Sequence, residues 1–230
     1  RGIGGYSALD YLIKVNGYSF LEAMETISGR AAIPPPSFVP APKEEKPKHL
    51  LLPQAAPDNR AMMAYLKGRG IDQEILDYCV QTGRIYESRN KGHGNVVFVG
   101  FDKDGKARFG CLRGISEARF HGDLSGSDKH FSFALVADDR PVREVHVFEA
   151  AIDAMSYASL KIMYHKDWRK IAYLSLAGVF ASKRANVVPV ALEQFLKDHS
   201  QITKVVLHLD NDKVGRLCTA TLKELLQKDY

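Results

Sequence analysis

The segment Val205–Arg216, VVLHLDNDKVGR, begins as an apolar run and ends in Asp210, Asn211 and Asp212, with Gly215 and Arg216 just beyond. A short apolar run bounded by turn residues is the pattern of a strand buried on both faces, as in a parallel sheet. Carboxylates at the tip of such a strand are costly unless something binds there. Working outward, EVHVFEA (144–150) reads as a strand and AIDAMSYASLKIM (151–163) as a helix. IAYLSLAG (171–178) is a second strand, VVPVALEQFLKDH (187–199) a helix opened by Pro189, and VGRLCTATLKELLQ (214–227) a helix after the third strand. Strands alternating with helices imply a parallel, doubly wound sheet with right-handed crossovers. Ligands of such sheets bind at the carboxyl ends of the strands.

That topology gives the acids a partner. The first strand ends at Glu149 and the third at Asp210, with Asp212 in the turn. If these two strands are neighbours, three carboxylates gather at one edge. They repel one another, and their pKa values rise unless a cation neutralises them. Hard oxygen ligands suit Mg²⁺ or Mn²⁺, which points to phosphoryl or nucleotidyl chemistry. Each acid also has a plainer reading: Asp and Asn are common turn formers, Asp212 can cap the next helix, and Glu149 can be an ordinary strand-end charge. Asp153 is either an additional metal ligand or a charge favouring its helix N-terminus. The combination within one βαβ series, with Gly215 opening the helix, favours the metal.

Upstream, residues 6–29 form a helical unit: Leu9, Leu12 and Ile13 have helical spacing, Ser19 and Glu22 make a capping box, and Gly29 stops the second helix. Residues 30–58 hold eight of the ten prolines and the charge run KEEKPK, and read as a linker without a core. Residues 59–82 read as two helices, each followed by glycine, with Asp72 capping the second. NVVFVGF (95–101) and KARFGCLR (106–113) flank the turn DKDG and predict a hairpin. HFSFALV (130–136) reads as a third strand after the polar loop FHGDLSGSDK (120–129).

The chain has 230 residues and a formal net charge of +5, which fits an anionic partner such as nucleic acid. Its three cysteines lie far apart without a C-x-x-C pair, so no zinc ribbon is expected, and reduced thiols are. No apolar run is long enough to span a bilayer and no signal peptide is evident, so no membrane association and a cytoplasmic location are expected. The start at Arg1 and the end just after a helical pattern suggest a fragment of a longer protein.

VFEAAIDAMSYASL (147–160), YLSLAGV (173–179) and LHLDNDKVGR (207–216) together resemble the Toprim domain, with its strand-end Glu and its D-x-D-x-x-G motif. MAYLKGRGIDQEILDYCVQTGRI (63–85) and NVVFVGFDKDGKARFGCLRGI (95–115) resemble the helices and hairpin that open the bacterial primase catalytic core. GGYSALDYLIKVNGYSFLEAMETISG (4–29) resembles the helices that close a primase zinc-binding domain. The order is that of the Toprim DNA primases, and the nearest type is the one found on plasmids and conjugative elements. The resemblance implies an α/β fold: a Toprim-type parallel sheet flanked by helices (143–230), preceded by a small α+β subdomain with a hairpin (59–142), the linker, and a short helical segment (1–29). The glycine usual after the Toprim Glu is Ala150 here, and the last Toprim strand is expected beyond Tyr230. The implied activity is RNA primer synthesis on single-stranded DNA from NTPs, in mobile-element or plasmid replication, with a replicative helicase as a further partner. Glu149, Asp210 and Asp212, with Asp153 as a further candidate, would hold Mg²⁺ or Mn²⁺. Arg108, Arg113, Arg119 and Lys129 are the candidates for holding template and nucleotide phosphates, against the alternative of solvated surface charge. A Toprim nuclease, or a Toprim protein that binds nucleic acid without catalysis, are the competing readings.

His146 and His208 on strands read as hydrogen-bonded core residues rather than ligands. Tyr65, Tyr78, Phe131 and Phe133 can stack on bases, but their spacing fits core packing better. Trp168, in the polar stretch YHKDWRK, fits either role.

Overall fold

The computed structural model describes residues 7–29, 49–90, 93–115, 120–137, 141–178 and 187–227. The chain divides into two compact units, Arg1–Lys46 and Pro47–Tyr230. In the first, α1 (Ala8–Lys14) and α2 (Phe20–Ser28) are capped as their sequences dictate. Ser7 accepts the Asp10 amide, Ser19 and Glu22 close a reciprocal capping box, and Gly29 ends α2 with φ of 64°.

Among the described residues, the second unit holds two four-stranded sheets. Helices α3 (Arg60–Gly68) and α4 (Gln73–Gln81) precede β1 (Ile85–Asn90), β2 (His93–Phe101), β3 (Ala107–Gly114) and β4 (His121–Asp123). These strands form an antiparallel meander in chain order. The hairpin expected over 95–113 is its centre. Its outer strands fall outside that expectation: β1 lies in the polar run IYESRN, and β4 in the stretch read as loop.

The second sheet has the order β5-β7-β6-β8, from β5 (Ala134–Leu135), β6 (Glu144–Phe148), β7 (Ala172–Ser175) and β8 (Lys204–His208). Strands β7, β6 and β8 are parallel, while β5 is an antiparallel edge. The third expected strand is thus shorter than HFSFALV, starts with a 3-10 turn at Lys129–Phe131, and joins the second sheet rather than the first. Helices α5 (Ala151–Met163), α6 (Val190–Asp198) and α7 (Lys213–Leu226) follow β6, β7 and β8 in turn.

Strand alternation sorts the core into two layers. Val145, Val147, Ala172 and Leu174 face α6 and α7. Phe148 and Tyr173 face α5 and, through it, α3 and α4. Trp168 is buried against this second layer, with its indole N–H on Glu74 at 2.8 Å and Tyr78 edge-on at 5.1 Å. It is therefore a packing residue. Phe133 is fully buried, and Tyr65 and Tyr78 pack against the same core.

Two groups of contacts explain what composition hid. Residues 49–58, counted in the proline-rich linker, lie along the first sheet: Ala55 bridges Ser88, the Ala56 amide donates to Glu87 O at 2.8 Å, and the Leu51 amide to Ser125 O at 3.0 Å. The rest of that linker, 30–48, falls outside the described residues. Strand β1 carries Glu87, which is fully buried although acidic. One carboxylate oxygen accepts the Met62 amide in the first turn of α3 at 2.9 Å, and the other pairs with Arg89 Nε at 3.2 Å. A buried charge is tolerated only when so engaged. Replacing Glu87 with Ala leaves a first-turn amide without a partner and should cost about 2–3 kcal/mol, measured as a lowered urea midpoint at unchanged m-value.

Candidate functional site

Strands β6 and β8 are paired in parallel with Phe148 opposite His208, so both chains leave the sheet side by side. Glu149 follows at once, and Asp210 follows two residues after His208. The Asp210 amide donates to Glu149 Oε1 at 2.9 Å, joining the two strand ends. On the other side, the Gly178 amide beyond β7 donates to Glu149 O at 3.0 Å. Asp212 is the N-cap of α7, and its Oδ1 accepts the Gly215 amide at 2.8 Å. A Cβ on Gly215 would lie 2.1 Å from the Asp210 carbonyl oxygen, so the D-x-D-x-x-G spacing records a close approach of helix to turn. Asp212 therefore does serve as the helix cap that its residue type suggests, while standing beside the other acids.

The charges of the group are coupled. Burial pushes the Glu149 carboxyl above its ordinary range, the Asp210 amide holds it partly down, and the charges of Asp210, Asp212 and Asp153 push it up again. Asp153, half-buried in the first turn of α5, is raised by burial and by Asp210. A hydrogen bond from the Ala150 backbone and the positive charges of Arg69 and Arg113 act the other way. Arg113, at the end of β3, has a buried Nε without a hydrogen-bond partner among the described residues. Arg69 was not foreseen. Its only signal is a basic residue between Gly68 and Gly70, at the C-cap of α3, where the chain turns toward α4.

Lys129 bridges the two sheets: Nζ pairs with Asp123 on β4 and donates to Ala177 O, each at 3.1 Å. Ala177 holds a φ of 53° just before Gly178, so Lys129 braces the strained turn that touches Glu149. Arg108 lies apart. It faces Asp102 at 3.9 Å and covers the Phe131 ring at 5.4 Å, beside the hairpin turn at the far end of β3 from Arg113. Arg119 falls outside the described residues.

Hard oxygen donors that repel one another fit a divalent cation. The geometry is not that of a closed site: among the described residues, no three His, Cys, Asp or Glu side chains are disposed to hold a metal ion together. Glu149 and Asp212 each turn one oxygen to a backbone amide.

The histidines stay out of this group. His146 Nε2 meets Glu144 at 2.8 Å, so it carries the proton, and Nδ1 then accepts from His208 Nε2 at 2.7 Å. The cysteines are free, and burial pushes the Cys79 and Cys111 thiols up to about 12, which makes them inert. Among the described residues no helix is long and apolar enough to cross a membrane.

Residues 146–230, which hold the strands and coupled acids described above, match the family described as Toprim-like. Residues 64–139 match a family described as a protein of unknown function, DUF3991. No curated protein matches the chain significantly. Among solved structures, the chain is similar to the primase fragment of the bacteriophage T7 primase-helicase protein, with TM-score 0.46 and 16% identity over 70% of this chain and 58% of that one. It is also similar to the E. coli primase catalytic core, with TM-score 0.44 and 13% identity over 73% of this chain and 60% of that one. For the zinc-binding and RNA polymerase domains of Aquifex aeolicus primase the values are 0.43, 18%, 73% and 47%. The chain thus spans roughly half to three-fifths of the length of these three structures.

Two outcomes follow from this geometry. Gly215→Ala forces the helix start away from Asp210 and should destabilise the fold by about 1–3 kcal/mol, read by thermal unfolding. Because the Glu149 and Asp153 carboxyls titrate above their ordinary range, the folded chain binds their protons more tightly than the unfolded chain does. Metal-free stability therefore falls as pH rises through that range. Glu149→Gln keeps the acceptor for Asp210 and removes the charge, so its melting temperature in EDTA at pH 7 should exceed that of the parent by about 1–2 °C, with a flatter pH profile.

Proposed function

We propose that the chain is the catalytic part of a primase-type nucleotidyltransferase that builds RNA primers on single-stranded DNA. The reading rests on one observation above the others: the 2.9 Å hydrogen bond from the Asp210 amide to Glu149, which draws the acids of two parallel strands to one edge of a Toprim-like domain. In this reading residues 143–230 are the Toprim domain, 59–142 the subdomain that covers it, and 1–29 the tail of a zinc-binding-like domain joined by 30–58. Glu149, Asp210 and Asp212, with Asp153 as a further candidate, would hold the divalent ion. When bound, that ion neutralises charge on the triphosphate and favours ionisation of the primer 3′-hydroxyl.

The chain's own groups do the rest. The 3′-oxygen bonds to the α-phosphorus, the bond to the bridging oxygen breaks, pyrophosphate leaves, and the hydroxyl proton passes to solvent. Arg113 and Arg69, whose positive charges act on Asp153, supply guanidinium groups for the triphosphate. Lys129 holds the turn at Ala177 that supports Glu149. Arg108 and Arg119 are template contacts in this scheme, and the net charge of +5 suits a polyanionic template. A replicative helicase and a mobile-element or plasmid setting are the context that the family resemblance suggests.

The test is primer synthesis from labelled NTPs on single-stranded template with Mg²⁺ or Mn²⁺, beside an Asp210→Ala, Asp212→Ala variant. Primers should form with the parent chain, and the variant should lose activity on the order of a hundredfold or more. Cleaved template would indicate a nuclease instead, and DNA binding without either product a binding module.

A further inference from the structure

Asp123 ends β4, an outer strand of the first sheet, and its carboxylate takes the Lys129 ammonium at 3.1 Å. The same ammonium donates to Ala177 O, just past the end of β7 in the second sheet, at 3.1 Å. The next amide, that of Gly178, donates to Glu149 O at 3.0 Å. These contacts run in series from the edge of one sheet to the backbone of the acid that follows β6 in the other.

The arm that carries Lys129 is fixed to the first sheet. Ser127 Oγ accepts the Gly110 amide at 3.0 Å and donates to Gly110 O at 2.8 Å. The Leu124 amide donates to Gly110 O at 2.8 Å, and the Asp128 amide to Arg108 O at 2.9 Å. Gly126, with φ of 81°, lies so close to the strap of residues 49–58 that a Cβ would stand 2.0 Å from His49 O. Residues 124–128 therefore move only with β3, and Lys129 carries the position of the first sheet across to the second.

The receiving turn needs such a hold. Ala177 and Gly178 have φ of 53° and 93°. Left-handed backbone is unfavourable for alanine and persists only where the surroundings impose it. Within the turn, the Ala177 amide donates to Ser175 Oγ at 3.1 Å, and that hydroxyl points to Glu149 O at 3.4 Å. Lys129 supplies a hold from outside. Its ammonium is thereby engaged by a carboxylate and a carbonyl, whereas a lysine that grips a phosphate keeps its ammonium for the ligand.

We propose that Asp123 is a positioning residue of the acid site: it fixes the Lys129 ammonium, which holds the Ala177–Gly178 turn against Glu149, and Lys129 is a strut rather than a phosphate ligand. The inference rests on the reading of Glu149 as a member of the catalytic centre. A partly exposed ion pair adds little to stability, so the effect lies in position and not in melting temperature.

The test uses the full chain with Lys129→Met, Lys129→Arg and Asp123→Asn. Amide hydrogen exchange in EDTA reads the turn directly. Gly178 should exchange about fivefold faster in Lys129→Met, the size of one lost hydrogen bond, and at least about twofold faster in Asp123→Asn. Lys129→Arg, which keeps the charge and the donors, should stay within about twofold of the parent. Exchange at Val145 and Val147 should not change. In primer synthesis, Lys129→Met and Asp123→Asn should both lower kcat, the first about fivefold, with KM for NTP within about twofold of the parent. A lysine that binds phosphate gives the opposite pattern: Lys129→Met would raise KM about tenfold, and Asp123→Asn, by freeing the ammonium, would lower it. The proposal is overturned by that pattern, by unchanged Gly178 exchange in Lys129→Met, or by exchange that rises equally at Val147. A parent chain that makes no primers overturns the function proposed above and not the tie, which exchange at Gly178 then decides.

Discussion

The parallel register of β6 against β8 is the constraint on which the site depends. Phe148 opposite His208 sets the two strand ends level, and only then can the Asp210 amide reach the Glu149 carboxylate. A slip of one residue would turn every side chain of β8 to the wrong face. Val145 and Val147 would still face α6 and α7, but the neighbouring strand would not match them. Packing of the core and gathering of the acids therefore enforce the same register. The Gly215 contact adds a second restraint, because the start of α7 rests directly on the Asp210 carbonyl.

Repulsion among the acids has its counterweight outside the second sheet. Arg113 comes from β3 and Arg69 from the end of α3, so the first sheet and its helices temper the charge of Asp153. Lys129 crosses in the same direction, from the connecting segment to Ala177 and Asp123. The seam between sheets is thus electrostatic at the acid edge. Deeper in, it is apolar, where Phe98 and Phe133 meet edge-on at 5.7 Å.

Much of this was legible in the sequence. The βαβ series announced itself through apolar strands of the right length, and the acids through their places at the strand ends. What escaped did so for physical reasons. Strand β1 is polar because its buried Glu87 holds the first turn of α3, a contact between residues 25 apart that no local pattern encodes. Strand β4 is three residues long and borrows its stability from β3. Residues 49–58 contain Pro53 and Pro57, yet the Pro53 carbonyl accepts the Tyr86 hydroxyl at 2.7 Å, a bond that needs no amide from proline. Arg69 joined the acids through a helix end whose direction only packing decides. Arg108 and Arg113 share one strand and go to different places for the same reason.

Trp168 gives the molecule an optical handle. It is the chain's one tryptophan, and it is 1% exposed, where α4 meets the second sheet. Glu74 takes its N–H, and the Arg169 guanidinium lies 4.5 Å over its ring. Any loosening of the α3–α4 layer from the sheet would wet the indole and shift its emission to the red. The fluorescence of the unlabelled chain therefore reports on the docking of one layer, separately from the unfolding of the sheet that carries the acids.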